Sequence, residues 1–141
     1  MSPRGRGLEH YLWLAGAAAG VAGLGLAALF LTPDPSGHGT HCQLGLPPCL
    51  AMWLLGLPCP GCGVTTSVVL AARGDFAAAL ANQPFGFAVF FGVVAFAGWA
   101  LVAELTGRNL HADVRLLNRA NVWVPVAALL LAAWVYKLVT L

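Results

Sequence analysis

Three apolar stretches, residues 11–31, 84–105 and 122–141, limit this chain more than any other feature. As helices rising about 1.5 Å per residue, each is long enough to cross roughly 30 Å of hydrocarbon. Pro33 and Pro35 end the first. Pro84 suits the opening turn of the second, where its missing N–H costs nothing, and Pro125 lies in the first turn of the third. Glu104 stands at the far end of the second run, within reach of headgroups, and Lys137 near the end of the third is expected to snorkel to the interface. Trp13, Trp123, Trp134 and Tyr136 fall near run ends, where amphipathic rings prefer to be. A cleaved signal peptide is the rival reading of the first run. That run exceeds a usual signal core and no small-x-small site follows it, so a retained helix is expected.

Composition agrees. Apolar residues make up 60% of the chain and charged ones 9%, with a mean hydropathy of +0.82. Soluble domains carry roughly a quarter charged residues. Seven basic and five acidic side chains cannot clothe a water-facing surface, so the bilayer is the expected solvent. The expectation is one all-α membrane domain over 1–141 with three transmembrane helices. The net charge of +2 is dispersed and offers no face for nucleic acid. Arg4, Arg6, Arg108, Arg115 and Arg119 fall on one side of the spans, Arg73 and Lys137 on the other. The bias puts the N-terminus inside and the loop between the first two spans outside. No charge lies near the middle of any run and none is visibly broken, which argues against a transporter acting alone.

The segment between the first two spans is long for a structureless connection. Residues 32–48 are polar and rich in Gly and Pro, so they should be irregular. Residues 49–57 are apolar but too short to span, which suits an interfacial or re-entrant piece. In 64–83, Val64, Val68, Ala72, Phe76 and Leu80 recur every four residues and predict a helical stripe. Gly74 should break it and Asp75 should cap a second short helix, the pair lying along the membrane surface. Residues 106–121 read as a further interfacial helix, with Leu110, Val114 and Leu117 on one face. In the first span, Gly16, Ala19, Gly20 and Gly23 offer a close-packing face to another helix, in this chain or in a second copy.

The chemistry concentrates in the loop 32–63. All four cysteines, Cys42, Cys49, Cys59 and Cys62, lie there, with His38 and His41. Cys59-Pro60-Gly61-Cys62-Gly63 can chelate one ion through both sulfurs, but such a pair is half a site. His38, His41, Cys42 and Cys49 are candidates for the other positions. Three readings compete. The cluster is a structural metal site, most simply one zinc per chain on His41, Cys49, Cys59 and Cys62, with His38 and Cys42 as alternative ligands. Alternatively the cysteines pair as disulfides, which an external loop permits. In the third reading Cys59 and Cys62 form a redox-active dithiol, although no thioredoxin-like pattern surrounds them. A following helix would favour a thiolate at Cys62, and His38 is expected to serve a turn. Thr65, Thr66 and Ser67 are expected to cap that helix, since no base or oxyanion arrangement stands beside them. No catalytic residue is therefore assigned.

The run Gly39-Thr40-His41, then Gln43 to Cys49, then Gly56-Leu57-Pro58-Cys59-Pro60-Gly61-Cys62-Gly63, followed by Arg73-Gly74-Asp75 and Asn82-Gln83-Pro84, resembles domain-of-unknown-function family 2752. The resemblance covers roughly residues 32–88. It implies a small multi-pass protein of a bacterial inner membrane, without an established reaction. The family's Thr-His, Pro-Cys and Cys-Pro-x-Cys-Gly elements map onto His41, Cys49, Cys59 and Cys62. Cys42 is outside the pattern, and Val64 stands where Met or Leu is usual. The function expected is structural: a metal-pinned loop at the membrane face that docks or assembles another membrane protein or a second copy. The rival is a membrane thiol–disulfide oxidoreductase.

Overall fold

The computed structural model of the protein describes residues 7–119 and 121–140; Arg4 and Arg6, on which the orientation reading draws, and Leu141 lie outside the described residues. In chain order the elements are α1 (Leu8–Phe30), a 3-10 turn (Thr40–Leu44), α2 (Leu50–Leu55), α3 (Val64–Ala72), α4 (Phe76–Asn82), α5 (Pro84–Leu105), α6 (Leu110–Arg119) and α7 (Trp123–Thr140). Among the described residues there is no strand. Helices α1, α5 and α7 are long and apolar enough to cross a membrane, as the three runs require. The all-α membrane architecture expected from the sequence is the one observed, with the cysteines between the first two spans.

Local chemistry sets the boundaries. Pro84 opens α5 in its first turn. Gly74, at φ +86, ends the turn after α3, and the Asp75 carboxylate accepts from Ala78 N at 3.0 Å to start α4. The C-terminal carbonyls of α1 are taken by Arg73, whose Nε donates to Ala28 O at 3.1 Å and Nη2 to Leu31 O at 2.6 Å. This cation at a helix C-terminus ties α1 to the end of α3. Arg73→Ala is expected to lower stability by about 1–2 kcal/mol, with lysine restoring only part because one ammonium cannot fork to both carbonyls. Thermal unfolding of the detergent-solubilised protein measures it.

The spans show apolar side chains outward: Leu29, Phe30, Leu105 and Val139 are each more than 75% exposed. Small residues, Ala17, Ala100, Ala103 and Ala133, fill the contacts between them. The glycine face of α1 is used within the chain, and only in part. A Cβ on Gly20 would sit 3.1 Å from Val93 Cγ1 of α5, whereas Gly16 and Gly23 meet open space. At the end of the bundle remote from the cysteines, buried His10 accepts from Leu110 N at 3.1 Å and its Nε2 lies 2.9 Å from Glu104 Oε2. That histidine joins α1, α5 and the start of α6.

Helix α3 is more enclosed than a helix lying flat on a surface would be. It packs against α1, α4, α5 and the 3-10 turn. Its Thr66, Ser67, Val69 and Ala71 are buried, while Phe76 and Leu80 of the apolar stripe are exposed. Polar groups go inward and part of the apolar stripe outward, an inversion suited to lipid. The cause is visible in the bonds: Thr66 and Ser67 find hydroxyl and amide partners inside, which lipid would not supply.

Candidate metal centre

Cys49 is the N-cap residue of α2, directly after Pro47 and Pro48. Cys59 and Cys62 face it from a tight turn, closed by Cys62 N donating to Cys59 O at 2.9 Å and Val64 N to Gly61 O at 3.2 Å. The sulfurs of Cys49, Cys59 and Cys62 all lie within 4.8 Å of one another. Two sulfurs on a tetrahedral zinc, each about 2.3 Å from it, stand about 3.8 Å apart, so a small contraction suffices. All four cysteines are free thiols in this arrangement.

The turn is held from behind. Trp134 Nε1 of α7 donates to Pro58 O at 2.8 Å, Gln83 Nε2 to Cys62 O at 3.4 Å and Pro60 O at 3.5 Å, and Asn82 Nδ2 to Gly63 O at 3.1 Å. Asn82 Nδ2 also reaches Ser67 Oγ at 2.9 Å, and Tyr136 donates to Ala81 O at 2.7 Å. Four carbonyls of the cysteine turn are thereby satisfied by side chains of the α4–α5 junction and α7. Such groups orient ligands before any ion arrives. Gly63 has φ +87, and a Cβ there would lie 2.7 Å from Gly37 O. Gly63→Ala is expected to destabilise the protein by at least about 1–2 kcal/mol from the left-handed backbone alone, read as a lower melting temperature.

Two of the thiols are opposites. The backbone N–H of Met52 is the main influence holding Cys49 down to about 7, assisted by Cys59 and Ala51 and opposed by burial. Burial pushes Cys62 up to about 11. The expectation that the start of α3 would favour a thiolate at Cys62 thus fails, because desolvation outweighs the helix end. In metal-free protein Cys49 is therefore the more readily ionised of the two. Lower intrinsic nucleophilicity of the more acidic thiol offsets part of this advantage. Cys49 is still expected to alkylate the faster of the two, and the shielding of Cys62, which is 4% exposed, adds to the gap. Mass spectrometry after timed iodoacetamide quenching measures the ratio.

His41 is not in the sulfur group. It lies on the 3-10 turn, its Nε2 3.8 Å from the sulfur of exposed Cys42. It shares with Cys49 a cavity of about 340 Å³, also lined by His38, Cys42, Met52 and Trp53. His38 serves a turn as expected, its Nδ1 2.8 Å from Ser36 O. The Ser36 hydroxyl and N–H bond Asp34 and hold its carboxyl below the usual range. Thr40 Oγ1 lies 2.8 Å from Thr66 Oγ1 and accepts from Asp34 N, while Gln43 bonds the backbone N–H and C=O of Thr32. Thr66 and Ser67 therefore tie segments together; no side chain caps α3. Sequence reasoning missed Lys137, Trp134, Asn82 and Gln83 as supports. The Asn82-Gln83 pair had a signal in its polar character beside an apolar run.

Residues 49–97 match the family model described as Protein of unknown function (DUF2752). The resemblance read from the motif is borne out over that segment, which contains all three grouped cysteines with Asn82 and Gln83. No curated protein and no solved structure matches the chain.

Proposed function

We propose that the chain is a multi-pass protein of the bacterial inner membrane whose cysteine loop carries one structural zinc and serves to dock or assemble a partner protein. Cys49, Cys59 and Cys62 supply three thiolates. His41 completes the tetrahedron by moving its ring across the cavity it shares with Cys49. The N-terminus lies inside and the loop outside. The observation that carries this reading is the convergence of three sulfurs, from two separate segments, within 4.8 Å. A redox pair needs only Cys59 and Cys62 and leaves the third sulfur without purpose.

Zinc would close the loop between α2 and the start of α3, and its ligation would offset the entropy of ordering the residues between them. A neutral histidine and three thiolates are a familiar structural zinc set. Closed sites of this kind do no chemistry of their own.

Metal analysis of protein purified under reducing conditions without chelator is expected to find about one zinc per chain. Alkylation is expected to reach Cys49, Cys59 and Cys62 only after chelation, and Cys42 at once. A metal-free protein whose Cys59 and Cys62 cycle at a defined potential supports the oxidoreductase instead. Metal-free protein with a stable disulfide among the three supports the stapled loop.

A further inference from the structure

Lys137 is the single lysine of the sequence and stands in the last turn of α7. A lysine so near the end of an apolar helix ordinarily extends its ammonium to water. Here the residue is 6% exposed, and its Nζ turns inward to donate to Asn82 O at 3.2 Å and Asn82 Oδ1 at 3.0 Å. The snorkelling expected from the sequence does not occur. Both acceptors are neutral, and among the described residues no carboxylate pairs with it. Burying an ammonium is costly unless a counter-charge accompanies it.

The buried ammonium lies against the cysteine turn. Lys137 Cε lies 3.5 Å from the place a Cβ on Gly63 would take, and Gly63 follows Cys62 directly. Asn82 bonds the ammonium through Oδ1 and Gly63 O through Nδ2, so lysine, amide and turn form one chain of contacts.

We propose that Lys137 is the counter-charge of the thiolate centre and favours a divalent cation held by all three sulfurs. This rests on the metal reading above. Three thiolates carry three negative charges, a divalent ion two positive and the ammonium one, so the assembly is neutral. Neutrality matters most where water is scarce and charges are weakly screened. With an uncharged side chain at 137 the same assembly keeps a net negative charge at the end of an apolar bundle. Lys137 does not touch the ion; it acts through the field at the sulfurs.

Cobalt(II), a coloured stand-in for zinc, tests this on the full chain in detergent, with Lys137→Gln and Lys137→Arg as variants. Glutamine keeps a donor for Asn82 and drops the charge; arginine keeps the charge. The sulfur-to-cobalt absorption is expected to need about ten- to a hundredfold more cobalt in Lys137→Gln, and near wild-type amounts in Lys137→Arg. A glutamine variant that titrates like the wild type overturns the lysine's role and leaves the metal reading standing. Wild-type protein without that absorption removes the metal reading and the lysine's role with it. A second measurement needs no change at Lys137. With lysine labelled with nitrogen-15 at its ε position, the one ammonium resonance is expected to move on adding zinc and to stay in place in Cys62→Ser. A resonance indifferent to bound zinc in the wild type overturns the proposal.

Discussion

Serine at position 62 is expected to empty the metal centre. Cys62 is 4% exposed and faces Cys49 and Cys59 from the turn before α3. A hydroxyl is nearly isosteric but a far poorer ligand for zinc than a thiolate. The affinity loss should exceed the roughly ten- to hundredfold typical of changes outside the ligand set. Elemental analysis is expected to fall from about one zinc per chain to a small fraction of that. Cys42→Ser is the contrast. Cys42 is exposed and outside the sulfur group, so metal content should not change. Full metal in Cys62→Ser, or its loss in Cys42→Ser, would remove the proposed ligand set.

The second large effect is on the fold that presents those ligands. A Cβ on Gly86 of α5 would sit 2.7 Å from Val64 O, 2.8 Å from Ser67 Cβ and 3.0 Å from Val64 Cα. Two of these are backbone atoms, which cannot rotate aside. Gly86→Leu must therefore push α3 off α5, at about 3 kcal/mol or more. Because α3 begins directly after the cysteine turn, zinc affinity should fall with stability. Gly92, six residues further along α5, has nothing within 4 Å of its would-be Cβ. Gly92→Leu is expected to be near neutral in thermal unfolding. Equal tolerance of leucine at both positions would mean that α3 does not pack on α5 as described.

The spans were legible because bilayer thickness sets a length that long apolar, nearly uncharged runs reveal directly. Pro84 and Asp75 marked helix starts for local reasons, and both act where expected. Burial within the bundle was less legible. The apolar stripe of α3 and α4 suggested a pair of helices lying along the membrane surface, yet Thr66 and Ser67 occupy the interior, because hydroxyls with partners avoid lipid. The cysteine group was visible from spacing; its supports were not, since Lys137 and Trp134 reach the turn from more than seventy residues away. No local pattern announces such contacts. His41 was named from proximity in sequence, but the 3-10 turn carries its ring towards Cys42 and the cavity beside Cys49.

The metal centre stands or falls on three sulfurs sharing one ion. X-ray absorption at the zinc edge of protein purified without chelator reads it most directly. Three sulfur neighbours at about 2.3 Å with one nitrogen or oxygen at about 2.0 Å is the expected shell. Zinc surrounded by nitrogen and oxygen alone, or protein with no zinc and its sulfurs paired, would contradict it.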